Sequence, residues 1–466
     1  MLKIYNTYEK QKQEFKPLKD KEVKFYSCGP TVYWTQHLGN MRAAVLADLI
    51  NRSLSYLGYQ VKMVRNITDV GHLTSDQDQG EDKLEKGAKR EGISPQEVAK
   101  KYMDLYLADI KKLNVKDPDV LAIATEYIDE MIAMVQILLD KGFAYTTDLA
   151  VYFDISKFKD YEKYSGQKLE EKIKGAGKGE VEDPDKKHPA DFALWFFKAG
   201  EHQNALQTWP SPFESKLVEN GQGFPGWHIE CSAMSKENLG ETIDLHMGGI
   251  EHIPIHHPNE IAQSEAANEA PFVKYWIHNE HLMYEGGKMS KSEGTAYSLT
   301  EVIEKGYQPL SVRYLFLQAH YRSKQNFTWE SMEAADNGYE HLQNQVRKLG
   351  QQKGKVDKTF KNKFIDFLED DFNIPQAFAL IQELLKSDLN NQDKLATVLD
   401  FDQVLGLDLG KQEKIEIPKE VQELLEQRQK ARDKKDWEQS DQLREQIGEL
   451  GYLVEDTDQG QEVKGK

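Results

Sequence analysis

Apolar and polar residues alternate near the start of the chain in a pattern that predicts a strand, a helix and a second strand. Residues 21–27 carry Val23 and Phe25 on one side, as in a half-buried strand. Residues 59–68, YQVKMVRNIT, form another β-like run, and the helix between the two ends at Gly58. The apolar positions of that helix are Leu46, Leu49, Ile50, Leu54 and Leu57. This order predicts one unit of a doubly wound parallel sheet.

A second unit of the same kind lies far downstream. Residues 241–249 and 273–285 each predict a strand, and residues 259–270 between them predict a helix. The interval that separates the two units has three features: a helix near Glu126 to Lys141, a hairpin over 143–155, and a polar, glycine-containing stretch over 170–189. We interpret this interval as an insertion between two halves of one sheet, and its polar stretch as a mobile loop.

Helical periodicity dominates from about Ser331, with apolar positions spaced for bundle packing over 364–385. A linker over 410–420 leads to two short helices within 421–452. We therefore predict an α/β fold: a doubly wound parallel, Rossmann-type sheet, split by an insertion and followed by α-helical C-terminal domains. A length of 466 residues agrees with about three domains.

Composition narrows the classes of protein that this chain can belong to. No run approaches the roughly 18 apolar residues of a membrane span, and the start of the chain lacks the features of a secretory signal. We expect a cytoplasmic protein with no membrane partner. The net charge of −18 argues against nonspecific coating of nucleic acid, so any RNA must bind to a restricted basic face. Two cysteines cannot make a disulfide framework, and they are thiols, buried fillers or metal ligands.

The tetrapeptide HLGN, residues 37–40, opens the first predicted helix. A helix N-terminus offers unsatisfied N–H groups and the positive end of the helix dipole, which suits phosphate. Gly39 allows a nucleotide base or backbone to approach closely. His37 and Asn40 can donate hydrogen bonds to oxygens whose charge grows as a phosphoryl bond rearranges. An ordinary turn before a helix would look the same in so short a motif.

The run EGGKMSKSEGT, residues 285–295, is more informative. Lys288 and Lys291 alternate with serines, and the glycines on both sides allow the loop to move. Two ammonium groups can cover a triphosphate while charge shifts to the leaving pyrophosphate. A solvated surface loop is the alternative for this stretch alone. Together, HLGN and KMSKS on a split doubly wound sheet resemble the two signatures, HIGH and KMSKS, of class I aminoacyl-tRNA synthetases.

Both cysteines have partners suited to a metal ion. Cys231 lies in GFPGWHIECSAM, upstream of the run HIPIHHPNEIAQ. A donor set of soft and borderline ligands for Zn²⁺ would comprise Cys28, Cys231, one of His256 and His257, and Glu260. Two distant cysteines can equally be buried fillers.

The chain is similar to the cysteinyl-tRNA synthetase family over essentially its whole length. The matching runs are YSCGPTVYW, PGWHIECSAM, HYRSKQNFTW, DDFNIPQAF and GYLVEDTDQG. The resemblance implies a zinc ion, one per chain, that binds the substrate's thiolate and is held by Cys28, Cys231, His256 and Glu260. It implies that Trp227 lines the amino-acid pocket. It also implies ATP with Mg²⁺, L-cysteine and tRNA(Cys) as partners, and a monomer.

Roles for the two motifs follow from the same resemblance. Catalytic groups are then His37, Asn40, Lys288 and Lys291, and ATP contacts come from His37, Gly39, Asn40 and Lys291. Asn40 stands where the family's motif has its second histidine. The asparagine keeps a hydrogen-bond donor but loses a possible positive charge. Pro258 stands in HHPNE where the familiar run is HHENE, and proline is tolerated in the first turn of a helix.

Basic residues next to an aromatic residue suit RNA. The run RQKARDKKDW clusters five cations beside Trp437, a composition that fits phosphate contacts and stacking on an anticodon base. A solvated helix face is the alternative. Within this run the residues expected to contact tRNA are Arg432, Lys434, Lys435 and Trp437.

The resemblance assigns a function to each predicted segment. These are 1–125, first half of the catalytic domain; 126–213, connective insertion; 214–280, second half of the catalytic domain; 281–338, KMSKS loop and stem-contact region; 339–412, helical bundle; and 413–466, anticodon-recognition region. Two other functions stay open at this point. One is a cysteine ligase of the mycothiol type with an amino-sugar acceptor, and the other is a zinc-stabilised RNA-binding protein without catalysis.

Overall fold

The strands form one larger parallel sheet and several smaller sheets. The structure is a computed structural model that describes residues 1–71, 73–75, 79–159, 161, 163, 183–285, 287–288, 295–411, 418–457 and 460–465. Its strands are β1 (Lys3–Asn6), β2 (Gln11–Glu14), β3 (Glu22–Ser27), β4 (Gln60–Ile67), β5 (Leu73–Ser75), β6 (Gln79–Asp82), β7 (Val120–Ile123), β8 (Ala144–Thr146), β9 (Ala150–Phe153), β10 (Phe192–Phe197), β11 (Gly223–Pro225), β12 (Ile243–Gly249), β13 (Val273–Asn279), β14 (Leu282–Tyr284), β15 (Gly287–Lys288), β16 (Gln325–Phe327), β17 (Tyr452–Thr457) and β18 (Gly460–Gly465).

Helices cover both faces of the larger sheet and make up most of the chain after it. In the described part of the chain they are α1 (Leu38–Tyr56), α2 (Lys83–Glu91), α3 (Pro95–Lys112), α4 (Ile128–Asp140), α5 (Trp227–Leu239), α6 (His256–Asn268), α7 (Leu299–Glu304), α8 (Pro309–Leu317), α9 (Trp329–Arg347), α10 (Lys358–Glu369), α11 (Ile374–Lys386), α12 (Asn391–Leu405), α13 (Lys419–Asp433) and α14 (Trp437–Glu449). No described helix has an apolar stretch long enough to cross a lipid bilayer.

Five parallel strands form the central sheet in the order β13-β12-β3-β4-β7. Strands β3 and β12 are neighbours in this sheet although more than 200 residues separate them in the chain. The order of strands reverses between them, which creates a crevice at their carboxyl ends where such sheets bind ligands. The predicted α/β fold with a split parallel sheet is confirmed.

The predicted strand, helix and strand near the start of the chain are β3, α1 and β4. Leu46, Leu49, Ile50 and Leu54 are buried along α1, as their spacing predicts. The helix ends at Tyr56 with Leu57 as its C-cap, and Gly58 follows with a φ of 90°, a left-handed conformation that favours glycine.

The insertion has its own antiparallel sheet, in the order β11-β10-β9-β8. The predicted hairpin over 143–155 is confirmed, because β8 and β9 pair with Ala144 opposite Phe153. The predicted helix near 126–141 is α4, and a turn of 3₁₀ helix precedes it at Ala124–Tyr127. Most of the polar stretch, residues 170–182, lies outside the described residues.

One predicted strand is wrong. The run 273–285 forms two strands in different sheets: β13 ends at Asn279, and β14 pairs with β15 and β16. The chain leaves the central sheet at Glu280, whose N–H donates to Tyr321 O at 2.9 Å and whose carbonyl accepts from Arg42. Hydrophobic alternation continues through the break, so the sequence pattern does not reveal it.

Residues 410–466 form a separate compact unit. Helices α13 and α14 agree with the two predicted helices, and the antiparallel hairpin β17–β18 follows them. The small core of this unit contains Val421, Ile447 and Val454. The sequence pattern does not predict the hairpin, because polar residues dominate both of its strands. The six predicted segment boundaries stay predictions.

A buried ion-pair cluster fixes α1 against the helices that follow the sheet. The carboxylate of Asp48 accepts hydrogen bonds from Arg52 Nε and Arg313 Nη2, both at 2.7 Å. The Arg313 guanidinium also donates to the carbonyl of Leu405, at the end of α12, at 2.7 Å. Burial raises the pKa of Asp48, but Arg313 and Arg52 outweigh it, so the pKa lies below its usual value.

Replacing Asp48 with Ala should lower the free energy of unfolding by about 3–5 kcal/mol, because two buried guanidinium groups would lose their counter-charge. Urea denaturation measures this loss. Since the folded pKa is depressed, the stabilisation is complete above about pH 4 and declines as pH falls through the folded pKa.

A matched control is Asp104→Ala, which removes the exposed pair between Asp104 and Lys100 on α3. It should leave the free energy of unfolding almost unchanged. Equal effects from the two variants would contradict a structural role for the Asp48 cluster.

Candidate active site

A cleft of about 950 Å³ opens at the carboxyl ends of the central strands, beside the crevice between β3 and β12. The loop after β3, the start of α1, helix α2 and the starts of α5 and α6 all contribute to its lining. The predicted site residues that line it are Cys28, His37, Gly39, Asn40, Trp227, Cys231 and His256. The fold therefore brings residues from both halves of the split sheet into one cleft.

Four predicted metal ligands meet at the inner end of this cleft. Cys28 follows β3 directly, Cys231 lies on α5, and His256 and Glu260 lie one turn apart on α6. Their ligand atoms all lie within 4.8 Å of one another. Glu260 Oε1 is buried 2.9 Å from His256 Nε2 but forms no hydrogen bond of acceptable geometry with any described residue. This arrangement is typical of donors that face a shared cation.

The protonation of these groups also fits a bound cation. A hydrogen bond with Cys28, burial and the nearby Glu260 carboxylate raise the pKa of Cys231 well above its usual value. Burial raises the pKa of Glu260, but His246 and His256 outweigh it and lower the pKa to about 2. Thiolates are the species that bind metals, and a divalent cation favours ionised thiols. The four side chains therefore form a group that can hold a metal ion.

A second set of donors overlaps the first. Ligand atoms of Cys28, His246, His257 and Glu260 also lie within 4.8 Å of one another. His246 and His257 are fully buried behind the cleft wall and do not line it. His257 Nδ1 lies 2.7 Å from His278 Nε2, a contact that holds the ring in place. The first set contains three cleft-lining residues, Cys28, Cys231 and His256, whereas Cys28 alone of the second set lines the cleft.

Aromatic and histidine side chains pack around the donors. The ring of Trp227 stacks on His256, with 4.2 Å between the ring centroids and 26° between the planes. His228 Nδ1 lies 2.9 Å from His256 Nδ1, so that pair orients the ligand ring. The sequence pattern does not by itself indicate this role of His228. Its position three residues before Cys231, on the same face of α5, is the signal that could have indicated it.

The HLGN motif forms the first turn of α1 through a reciprocal pair of hydrogen bonds. Gly39 N–H donates to His37 Nδ1 at 3.0 Å, and His37 N–H donates to Asn40 Oδ1 at 3.3 Å. Because Nδ1 of His37 accepts, the neutral ring carries its proton on Nε2, where it can donate. A Cβ at Gly39 would lie 2.8 Å from Cε1 of His37, so this ring position requires glycine.

The KMSKS segment is only partly described. Lys288 lies in β15, where its backbone pairs with Met283, and Lys291 lies outside the described residues. After the segment, Tyr297 O accepts a hydrogen bond from Leu38 N–H at 2.8 Å. The end of the segment is thereby attached to the start of α1, next to the HLGN turn.

The predicted tRNA-contact residues lie in the separate C-terminal unit. Trp437 is 57% exposed, and Lys434 and Lys435 are exposed beside it. Arg432 Nη1 donates to Asp456 at 2.8 Å. Arg428, which belongs to the same basic run, is buried and binds Asp456 through both guanidinium nitrogens at 2.8 and 2.9 Å. It stabilises this unit rather than offering a surface charge.

Comparison with family models gives matches in both units. The model for the catalytic domain of class I (C) tRNA synthetases matches residues 14–337. The model for the anticodon binding domain of cysteinyl-tRNA ligase matches residues 415–463. The chain belongs to the cysteine–tRNA ligase family. This membership confirms the resemblance inferred from the motifs, and the family consists of enzymes.

Individual members of the cysteine–tRNA ligase family match along the whole chain. Cysteine–tRNA ligase 1 of Burkholderia lata is 42% identical, with 100% of this chain and 97% of the relative covered. The cysteine–tRNA ligases of Treponema denticola and Methanosarcina mazei are each 40% identical. Their alignments cover 98% of both chains for the first, and 100% of this chain and 99% of the relative for the second.

Solved structures support the fold. A methionyl-tRNA synthetase from Mycobacterium tuberculosis, bound by methionyl-adenylate, has a TM-score of 0.55 and 13% sequence identity. The match covers 84% of this chain and 93% of that chain. At this identity the likeness shows the class I synthetase fold alone.

We predict that Cys231→Ser abolishes metal binding, because a hydroxyl is a far weaker ligand than a thiolate for a metal ion held by sulfur and nitrogen. Elemental analysis of the purified chain should fall from about one ion per chain to near zero. Chelator competition should show the same loss in affinity.

Ser235→Ala is the matched control, one turn further along α5. The buried Ser235 hydroxyl has no hydrogen-bond partner among the described residues, so its removal should leave metal content unchanged. A Cys231→Ser variant that keeps its metal ion would contradict the assignment of the site.

Proposed function

We propose that this chain is a cysteine–tRNA ligase that activates L-cysteine with ATP to form cysteinyl adenylate. It then transfers the cysteinyl group to the 3′ end of tRNA(Cys). The products released are pyrophosphate and AMP. One observation carries the proposal: Cys28, from the first half of the sheet, meets Cys231, His256 and Glu260, from the second half, in the cleft that also contains the HLGN turn. Such a cleft can hold an amino acid at one end and ATP at the other.

The donor set favours Zn²⁺ as the ion in the site. Two sulfurs, one imidazole nitrogen and one carboxylate oxygen suit its tetrahedral preference. When bound, Zn²⁺ would bind a thiolate strongly and a hydroxyl only weakly, and so it can select cysteine over serine. A pocket that measured size alone would separate such similar molecules by only about 1–3 kcal/mol. Selection by coordination would also make a separate editing site unnecessary.

The other cleft residues act on position and charge. The ring of Trp227, held against His256, forms one wall of the amino-acid pocket. The N–H groups at the start of α1 and the Nε2–H of His37 can donate to the phosphates of Mg²⁺-bound ATP. Asn40 uses its oxygen to accept from His37 N–H and has its amide NH₂ group left to donate. Lys288 and Lys291 would neutralise the leaving pyrophosphate.

Attack of the cysteine carboxylate on the α-phosphate requires little covalent help from the protein. Alignment of the two substrates and stabilisation of charge supply the rate in such reactions. In the second step, a ribose hydroxyl at the 3′ end of the tRNA attacks the carbonyl of the adenylate, and AMP leaves.

In this proposal the C-terminal unit recognises the anticodon. Its exposed Trp437 can stack on an unpaired base, and Lys434 and Lys435 can contact phosphates. Arg432 contributes less, since Asp456 already neutralises it. The match of residues 415–463 to an anticodon binding domain favours this function over a mycothiol-type ligase, which would lack a full RNA-binding tail.

The decisive experiment is exchange of labelled pyrophosphate into ATP, followed by charging of tRNA(Cys). Cysteine should support both reactions, and serine should support exchange about 10⁴-fold less well, because its hydroxyl cannot replace a thiolate. Exchange without charging would favour the ligase with an amino-sugar acceptor. No exchange at all would favour a nonenzymatic RNA-binding protein.

A second prediction separates the two roles of Asn40. In Asn40→Asp a carboxylate oxygen still accepts from His37 N–H, and a negative charge suits a helix N-terminus, so the thermal midpoint should not fall. The donor is lost and a charge faces the phosphates, so the exchange rate should fall about 10²- to 10³-fold.

Asn51→Asp, further along α1 and outside the cleft lining, is the control for the same change of charge. It should leave the exchange rate near that of the wild type. An Asn40→Asp variant with full activity would show that the amide matters only for capping.

A further inference from the structure

Helix α1 carries a fully buried cation just after the HLGN turn. Arg42 does not line the cleft, although Asn40 and Ala43, close to it in the helix, do. Burial lowers the pKa of its guanidinium to about 10, against the opposing charge of Glu280, so the group stays protonated at neutral pH. Its Nε has no hydrogen-bond partner among the described residues. Such a buried charge is costly, and an apolar side chain of similar volume would pack at lower cost.

The acceptors that Arg42 binds are backbone carbonyls. Its Nη1 donates to the carbonyl of Glu280, where the chain leaves the central sheet. Its Nη2 donates to Ser323 O at 3.1 Å and to His320 O at 3.4 Å. Glu280 lies just before β14, and the turn 320–323 lies just before β16. One planar group therefore joins α1 to the starts of two strands that pair in parallel.

The turn 320–323 is itself fixed from the other side. The Tyr321 hydroxyl donates to the buried carboxylate of Asp371 at 2.6 Å, and Arg322 pairs with the same carboxylate at 2.7 Å. Tyr321 O also accepts from Glu280 N–H at 2.9 Å. The carbonyls that accept from Arg42 thus belong to a support that other hydrogen bonds hold in place.

Both described ends of the KMSKS segment are attached to the start of α1. At the first end, Lys288 in β15 pairs through its backbone with β14, the strand that begins beside the Arg42 contact. At the other end, Tyr297 O accepts from Leu38 N–H, one of the donors that the first turn of a helix leaves unpaired, at 2.8 Å. Leu38 and Arg42 are one turn apart, so both attachments lie within the first two turns of α1, directly after the HLGN turn.

We propose that Arg42 is a positioning residue for the reaction with ATP: its guanidinium sets the distance between the HLGN turn and the strand pair that carries the start of the KMSKS segment. This inference rests on the proposed function. In that function the two motifs act on the same phosphates, so a shift between them would misalign the donors as charge moves to pyrophosphate. Arginine suits this role because its planar group presents donors in a fixed geometry, whereas a lysine ammonium is a point charge on a flexible stem.

The test compares Arg42→Lys, which keeps the charge, with wild type in cysteine-dependent pyrophosphate exchange. Metal content should stay at the wild-type value. The kcat per bound metal ion should fall about 10- to 10²-fold, because small displacements from the productive geometry cost that much. The KM for cysteine should stay within about twofold, since the amino acid binds at the other end of the cleft. Arg42→Gln, which keeps an NH₂ donor without a buried charge, should show a fall in kcat of the same size.

Hydrogen exchange supplies a readout that does not depend on activity. In wild type the amides of Glu280 and Gln325 should be protected, because they donate to Tyr321 O and to His281 O at 2.9 and 3.3 Å. In Arg42→Lys these two amides should exchange about tenfold faster, while amides of β4 exchange as in wild type.

Arg52→Lys is the matched control, since it removes a second buried guanidinium from the same helix, away from the cleft. Arg52 donates to Asp48, to Asn114 O at 2.7 Å and to Gln403 O at 3.2 Å, and it does not line the cleft. This variant should lower the thermal midpoint but leave the kcat per bound metal ion and the KM for cysteine at wild-type values.

Three results would overturn the inference. An equal fall in kcat for Arg42→Lys and Arg52→Lys would assign the effect to stability, and a wild-type kcat in Arg42→Lys would show that the charge alone is sufficient. A rise in the KM for cysteine with unchanged kcat would place the effect at the amino-acid end of the cleft. If wild type itself supports no exchange with cysteine, the proposed function fails. Faster amide exchange in Arg42→Lys would still demonstrate the attachment, so the two failures are distinguishable.

Discussion

Four side chains that could hold a metal ion, from three distant segments, meet at one point, and this convergence constrains the unit of residues 1–409. A buried carboxylate such as that of Glu260 is costly to remove from water unless a positive charge compensates it. Cys28 reaches the point because its N–H donates to Met247 O at 2.9 Å, which joins the ends of β3 and β12. The strand order of the central sheet and the placement of α5 and α6 bring these side chains together at the crevice.

Sequence patterns predict those parts of the molecule in which local periodicity and tertiary burial agree. Helix α1 buries the leucines that its spacing assigns, and β3 and β4 flank it as expected. The pattern fails at Glu280, where a long-range hydrogen bond to Tyr321 O directs the chain out of the central sheet. It also fails for β17 and β18, whose mostly polar strands form a hairpin that packs Val454, Tyr452 and Val463 against two helices.

Prediction of the site shows the same limit. Two cysteines, a histidine and a glutamate can be chosen from the sequence because their chemistry is unusual and the family resemblance orders them. His246, which lies behind them, cannot, because an isolated histidine in a sequence carries no sign of its neighbours. Charge is equally ambiguous: Arg428 and Lys434 belong to one basic run, yet the first is buried against Asp456 and the second is exposed.

The HLGN turn shows how a departure from a family motif can be absorbed by geometry. At the third position of a helix, a side chain that accepts from the N-cap N–H completes the first turn, and the amide oxygen of Asn40 does this for His37. The same amide still carries two N–H donors on its other end. In the function proposed above, the helix dipole already supplies positive charge to phosphate, so a neutral donor at Asn40 is sufficient. Asparagine can therefore replace histidine here, because the turn requires an acceptor on one side and a donor on the other.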